Sequence, residues 1–198
     1  MLQKNKKRVF IIHGYKSYPG DCWFPWLKKE LQKKDIHVSL PRMPHPDKPV
    51  LEEWVSTIKK IVAIPDSLTY FIGHSLGAIA IIRYLETLPH YQKIGGAIFV
   101  AGRVIIRKSL LRHKKAGSGT SSFFKKPIHW KKLKKVSKKY VGIYSLDDPY
   151  VSTDNGRLLK KELKAKFVLE KSKGHFSRDD NVRKMSRVLN EMLFLIRK

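Results

Sequence analysis

The chain has 198 residues, 42% of them hydrophobic, which is ordinary for a globular protein and enough to bury a core without disulfides or metals. Cys22 is the only cysteine, which excludes an internal disulfide and a cysteine-based metal site. Lysine and arginine total 42 against 16 aspartates and glutamates, a formal net charge of +26, and such a field attracts anionic partners or substrates.

The excess charge is concentrated. No acidic residue stands between Glu86 and Asp147, while basic residues crowd the stretch from Arg103 to Lys139. A solvated basic surface is the plainer reading of that stretch. The sharper one is a non-specific contact with a polyanion such as nucleic acid or anionic lipid.

The basic N-terminus runs into Val9-Phe10-Ile11-Ile12. This apolar run is too short for a signal peptide, ends in His13-Gly14 and has no small-residue cleavage site. No stretch approaches a membrane span, so a soluble cytoplasmic protein is expected. Cys22 lies beside Trp23 and Phe24 and reads as a buried structural thiol.

Val9 to Ile12 reads as a buried strand, ending in the turn His13-Gly14-Tyr15. Trp23 to Lys34 has Trp23, Trp26, Leu27 and Leu31 on one helical face, with Pro25 tolerated only in the first turn. Ile36 to Leu40 is a short strand, and the four prolines between Pro41 and Pro49 require an extended loop. A helix follows over Val50 to Ala63. Leu68 to Ile72 is a strand, Ala78 onward a helix, and Gly73-His74-Ser75-Leu76-Gly77 joins them. Ala97 to Ala101 is the next strand.

From Gly102 to about Lys139 the pattern weakens. Val104 to Leu111 suits a short helix, Ala116 to Ser122 is a flexible stretch, and Phe123, Phe124, Ile128 and Trp130 are too apolar for a linker. A small cap-like insertion over about residues 103–139 is expected, with Phe123, Phe124 and Trp130 near the substrate pocket. Val141 to Tyr144 is a strand leading to Asp147-Asp148-Pro149-Tyr150. A helix lies around Arg157 to Lys164, and Phe167 to Leu169 is the last strand, before Gly174-His175-Phe176. Asp179 or Asp180 is expected to cap a terminal helix bearing Val182, Met185, Val188, Leu189, Met192 and Leu193. Six strands alternating with helices give an α/β three-layer sandwich, one domain over 1–198 with a mainly parallel sheet.

Strand, G-x-S-x-G and helix together form the context of a nucleophile elbow. The serine stands at the tip of a sharp reversal, and the flanking glycines let strand and helix approach closely. A serine hydroxyl needs a base to take its proton, and the base needs an acid to fix its tautomer. Ser75, Asp148 and His175 come in the order Ser, acid, His, each directly after a strand, where ligands bind in parallel α/β sheets. Only one of Asp147 and Asp148 should reach the histidine. Asp148 is favoured because Pro149 fixes the backbone beside it, with Asp147 capping the turn. His74 is too close to the serine to serve it and is read as packing against neighbouring loops. The oxyanion hole should use the backbone N–H of Leu76 and one from the first loop, Tyr15, with His13 and Gly14 shaping the pocket. No metal or cofactor is required.

These residues resemble the small serine hydrolases related to retinoblastoma-binding protein 9, in the α/β-hydrolase superfamily. The similarity spans nearly the whole chain: Trp26 to Leu31, Gly73 to Ala80 with Arg83-Tyr84 and Glu86-Thr87, Phe124, Pro127 and Trp130, Asp147 to Tyr150, and Gly174 to Phe176. The resemblance implies that Ser75, Asp148 and His175 form the triad, and it supports the second aspartate. It does not imply binding of the retinoblastoma protein, since the L-x-C-x-E contact motif is missing and Gly20 stands two residues before Cys22. The implied activity is that of a carboxylesterase-like serine hydrolase acting on a small-molecule ester. The alternative is a hydrolase-fold binder using its basic face.

Overall fold

The computed structural model describes residues 6–105 and 120–197. The expected helix from Val104 to Leu111 and the glycine-serine stretch fall largely outside these residues. Of that stretch, Thr120 to Ser122 belong to a short 3₁₀ turn, Thr120–Phe124, rather than to a flexible connection. Among the described residues, no helix is long and apolar enough to cross a membrane.

Six strands form one wholly parallel sheet: β1 (Arg8–Ile12), β2 (His37–Ser39), β3 (Thr69–His74), β4 (Gly96–Val100), β5 (Tyr140–Ser145) and β6 (Lys166–Glu170), in the order β2-β1-β3-β4-β5-β6. The continuous apolar runs occupy the centre because both faces of the sheet are covered. Every residue of β3, β4 and β5 is buried, whereas β6, at an edge, has only exposed and half-buried positions. Helices α1 (Phe24–Gln32) and α6 (Ser186–Arg197) close one face over a core that includes Trp23, Leu27, Ile72 and Met192. Helices α2 (Leu51–Val62), α3 (Leu76–Thr87), α4 (Trp130–Val136) and α5 (Asp154–Leu163) close the other, over Trp54, Phe71, Ile81 and Tyr144. The three-layer α/β sandwich is therefore as expected.

The terminal helix differs from the expectation. It starts at Ser186, so Val182 and Met185 are buried by the loop before it. Asp180 is not its cap, because its carboxylate is taken up by the loop carrying His175, and Asn181 with φ of 53° turns the chain out of helical geometry.

Two glycines decide how β3 meets α3. A Cβ on Gly73 would lie 2.6 Å from Ala78 Cα, and one on Gly77 would lie 2.2 Å from the carbonyl oxygen of Ile12. Helix α3 thus presses directly on the end of β1. The segment after the 3₁₀ turn is clasped to the same helix by Arg83. Its Nε–H donates to Phe123 O at 3.0 Å, Nη1 bonds Pro127 O and Glu86 Oε2, and Nη2 bonds Lys126 O. Glu86 in turn accepts the N–H of His129 at 2.7 Å.

Gly77→Ala is expected to lower unfolding stability by about 2–3 kcal/mol, since neither the helix nor β1 can retreat without opening the core. Gly20→Ala, at a position with nothing within 4 Å, should be neutral or stabilising. Urea denaturation of both variants checks this; equal midpoints would refute the close approach.

Candidate active site

The site lies at the carboxyl ends of β1, β3, β4, β5 and β6. Ser75 is the residue between β3 and α3, with φ of 51° and ψ of −115°, a conformation sparsely populated by non-glycine residues. It is held there by continuing the ladder: Ser75 N–H donates to Val100 O at 2.9 Å.

Ser75, His175 and Asp148 form one hydrogen-bonded chain. The Ser75 hydroxyl lies 2.9 Å from His175 Nε2. His175 Nδ1 is 2.9 Å from Asp148 Oδ2 and 3.1 Å from Oδ1. Since a carboxylate only accepts, Nδ1 carries the proton and the Nε2 lone pair faces the serine. The Asp148 side chain is fully enclosed, and its Oδ1 also accepts the N–H groups of Tyr150 at 2.8 Å and Val151 at 3.0 Å. Asp147 does not reach the histidine. Its Oδ1 accepts from Ser145 Oγ and from the N–H groups of Lys173 and Gly174, which hold its carboxyl below the usual range, the serine bond contributing most. It therefore tethers the loop after β6 to the end of β5.

His175 is fixed from both sides of its backbone. Its N–H donates to Asp180 Oδ2 at 3.0 Å, and the same oxygen accepts from Ser177 N–H and Oγ–H. Its carbonyl accepts from His74 Nε2 at 2.8 Å. Phe176 is buried, and its carbonyl accepts Trp23 Nε1–H at 3.1 Å. His74 is 4% exposed, with Trp23, Phe24 and His175 around its ring. Burial above all, and then the neighbouring His175, push its pKa down to about 3. His74 is thus a neutral donor to the His175 carbonyl.

The first loop is ordered by His13. Its Nε2 accepts the N–H of Met43 at 3.0 Å, so Nδ1–H donates to Gly14 O, also at 3.0 Å. A trans peptide points its C=O and N–H in opposite directions. Fixing Gly14 O therefore fixes the direction of Tyr15 N–H. A Cβ on Gly14 would stand 3.1 Å from Ser75 Cβ, so this peptide abuts the serine.

A cavity of about 590 Å³ opens over Ser75 and His175, with Gly14, Tyr15, Leu76, Phe124, Tyr150 and Arg103 in its walls. Three expected wall residues are elsewhere. His13 is buried beneath the loop, edge-on to Trp54. Phe123 packs into the core, also edge-on to Trp54. Trp130 lines a separate open groove with Glu86, Pro89 and the lysines of α4. Phe123 is an apolar ring better desolvated in the core than at a cavity mouth, whereas His13 is drawn under the loop by its two hydrogen bonds. Cys22, also at the cavity, is buried with its thiol pushed up to about 12 by desolvation, which suits a structural thiol.

The chain has counterparts among known proteins. A family model described as serine hydrolase matches residues 9–192. The putative hydrolase YdeN of Bacillus subtilis is 34% identical over 174 residues, 88% of each chain. Its crystal structure superposes with a TM-score of 0.88 at 30% identity, covering 98% of this chain and 100% of that one. The serine hydrolase RBBP9 of Rattus norvegicus is 27% identical over 172 residues, 86% of each chain. A structure of the metagenome-derived lipolytic enzymes LipS and LipT shares the fold, with a TM-score of 0.72 at 14% identity over 97% of this chain and 94% of that one.

His74 gives a pH signature. Its folded pKa is depressed, so between about 6.5 and 3 the unfolded chain binds a proton that the folded one refuses. Stability should fall as pH is lowered through that window, and His74→Gln should flatten the fall. Urea midpoints at several pH values test this; parallel curves would refute it.

Proposed function

The chain belongs to the serine hydrolase family, with the fold of the α/β hydrolases, and from that premise we propose that it hydrolyses small carboxylic esters through an acyl-enzyme on Ser75. The observation that carries the proposal is the continuous chain from Ser75 Oγ through His175 to the enclosed carboxylate of Asp148.

In the proposed reaction His175 Nε2 takes the hydroxyl proton as Ser75 Oγ attacks the ester carbonyl. The resulting imidazolium is stabilised by the Asp148 carboxylate, which accepts Nδ1–H and is held in place by two backbone N–H groups. His74 supports this step by adding no second positive charge beside the imidazolium. The oxyanion is received by Leu76 N–H, at the start of α3 where a helix leaves its first N–H groups without intrahelical acceptors, and by Tyr15 N–H as aimed by His13. The proton then passes to the leaving alcohol, the acyl group remains on Ser75, and water attacks by the same route in reverse. The ester class is supported by the small cavity and by the shared fold with proteins named as lipolytic enzymes.

A fluorophosphonate probe should label the protein on Ser75, and Ser75→Ala should abolish labelling and lower ester kcat by about 10⁶. Asp148→Asn should cost about 10⁴ in kcat. Asp147→Asn should cost stability more than rate, because it holds a loop and does not touch the imidazole. A folded protein with neither labelling nor esterase activity would overturn the proposal, and equal kinetic losses at the two aspartates would overturn the assignment of the acid.

A further inference from the structure

We propose that Arg103 binds a free carboxylate on the substrate, so that the preferred esters are monoesters of short aliphatic dicarboxylic acids. This rests on the ester-hydrolase reading and adds the substrate class to it.

Arg103 stands on a loop built to hold it still. On one side the carbonyl of Gly102 accepts the hydroxyl of the buried Tyr144 at 2.7 Å. On the other, the N–H groups of Val104 and Ile105 both donate to Asn155 Oδ1 at 2.8 Å. Asn155 is itself buried and anchored through Nδ2–H to Ser152 O. A Cβ on Gly102 would lie 2.6 Å from Ala78 Cβ, so the loop also lies flat against α3.

The guanidinium carried by this platform lines the same cavity as Ser75 and His175. Nη2–H donates to Tyr150 O at 2.9 Å. An arginine has five N–H donors, and among the described residues no carboxylate pairs with the others. Asp148 is close enough to be felt, but its oxygens are engaged by His175, Tyr150 and Val151 and its side chain is sealed. Desolvation lowers the Arg103 pKa despite that neighbour. A half-buried, unpaired guanidinium is costly unless a partner arrives, and its planar fork matches a carboxylate. Lys16 and Arg178 share the cavity. Of the two acids there, Asp21 is engaged by Ser17 Oγ and Tyr18 N–H, and Asp179 is exposed. Leu76, Phe124 and Val151 supply apolar wall for an aliphatic spacer between the reacting ester and the carboxylate.

The test compares kcat/KM for the 4-nitrophenyl monoester of adipic acid with that for 4-nitrophenyl hexanoate. Wild type should favour the anionic ester by about tenfold or more, the scale of one charge-assisted bond. Arg103→Gln should erase most of that ratio, and Arg103→Lys, which keeps the charge but not the fork, should keep part of it. In about 0.5 M NaCl part of the wild-type preference should persist, since a direct contact to a half-buried guanidinium is screened less than a diffuse field. A ratio unmoved by Arg103→Gln, equal losses on both esters, or complete loss of preference in salt would overturn the proposal. If Arg103→Gln fails to fold, Arg103→Lys supplies the ratio. If neither ester is cleaved, the esterase reading falls alone. Calorimetric binding of monomethyl adipate and methyl hexanoate to Ser75→Ala then decides the anion site: selective binding weakened by Arg103→Lys in that background supports it, and no selectivity overturns it.

Discussion

The structure turns on one approach distance, that of helix α3 to the end of β1. Gly77 leaves no room for a single carbon between them. Because the two backbones touch there, the reversal at Ser75 must be sharp, and the serine takes a positive φ to make it. The same contact sets the start of α3 beside the first loop, with Gly14 close against Ser75. The strain at Ser75 is met by the ladder bond to Val100 and by the buried helix behind it, in which ten consecutive residues from Leu76 to Leu85 are buried.

The opposite wall is assembled differently. The loop after β6 has no regular structure to fix it, and it is tied instead by side chains: Asp147 from β5, His74 from β3, Trp23 from the segment before α1, and Asp180 from within the loop. The ends of two other strands thereby help to determine where one imidazole stands. Two of these ties also answer electrostatic needs. Asp147 stays ionised because it is well bonded, and His74 stays neutral because it is desolvated.

Much of this was legible in the chain because Ser75, Asp148 and His175 each follow a run of apolar strand residues, and strand ends in a parallel sheet share one edge. The choice of Asp148 over Asp147 was also legible, through the proline that follows it. The pocket wall was not. Phe123, Phe124 and Trp130 read alike as aromatic residues in a weakly patterned segment, yet only Phe124 lines the cavity. The inward direction of the Phe123 ring goes with Trp54, a distant partner that local periodicity does not reveal. Asp180 was read as a helix cap because an aspartate before an apolar pattern usually is one. Here nearby amides, those of His175 and Ser177, compete for it more successfully. The long-range roles of Arg83 and Asn155 had no local signal, since the carbonyl and amide partners that matter lie some forty and fifty residues away.

The clasp formed by Arg83 has a mechanical meaning. The arginine sits eight positions beyond Ser75 on the same helix, a span of about 12 Å along its axis. The backbone from Phe123 to Pro127 that it grips is therefore coupled to the elbow by a rigid rod rather than by a hinge. Peeling that segment away would strand a buried cation and release Glu86 together with the N–H of His129. Detachment on its own is thus penalised, and the segment is tied energetically to the serine-bearing helix.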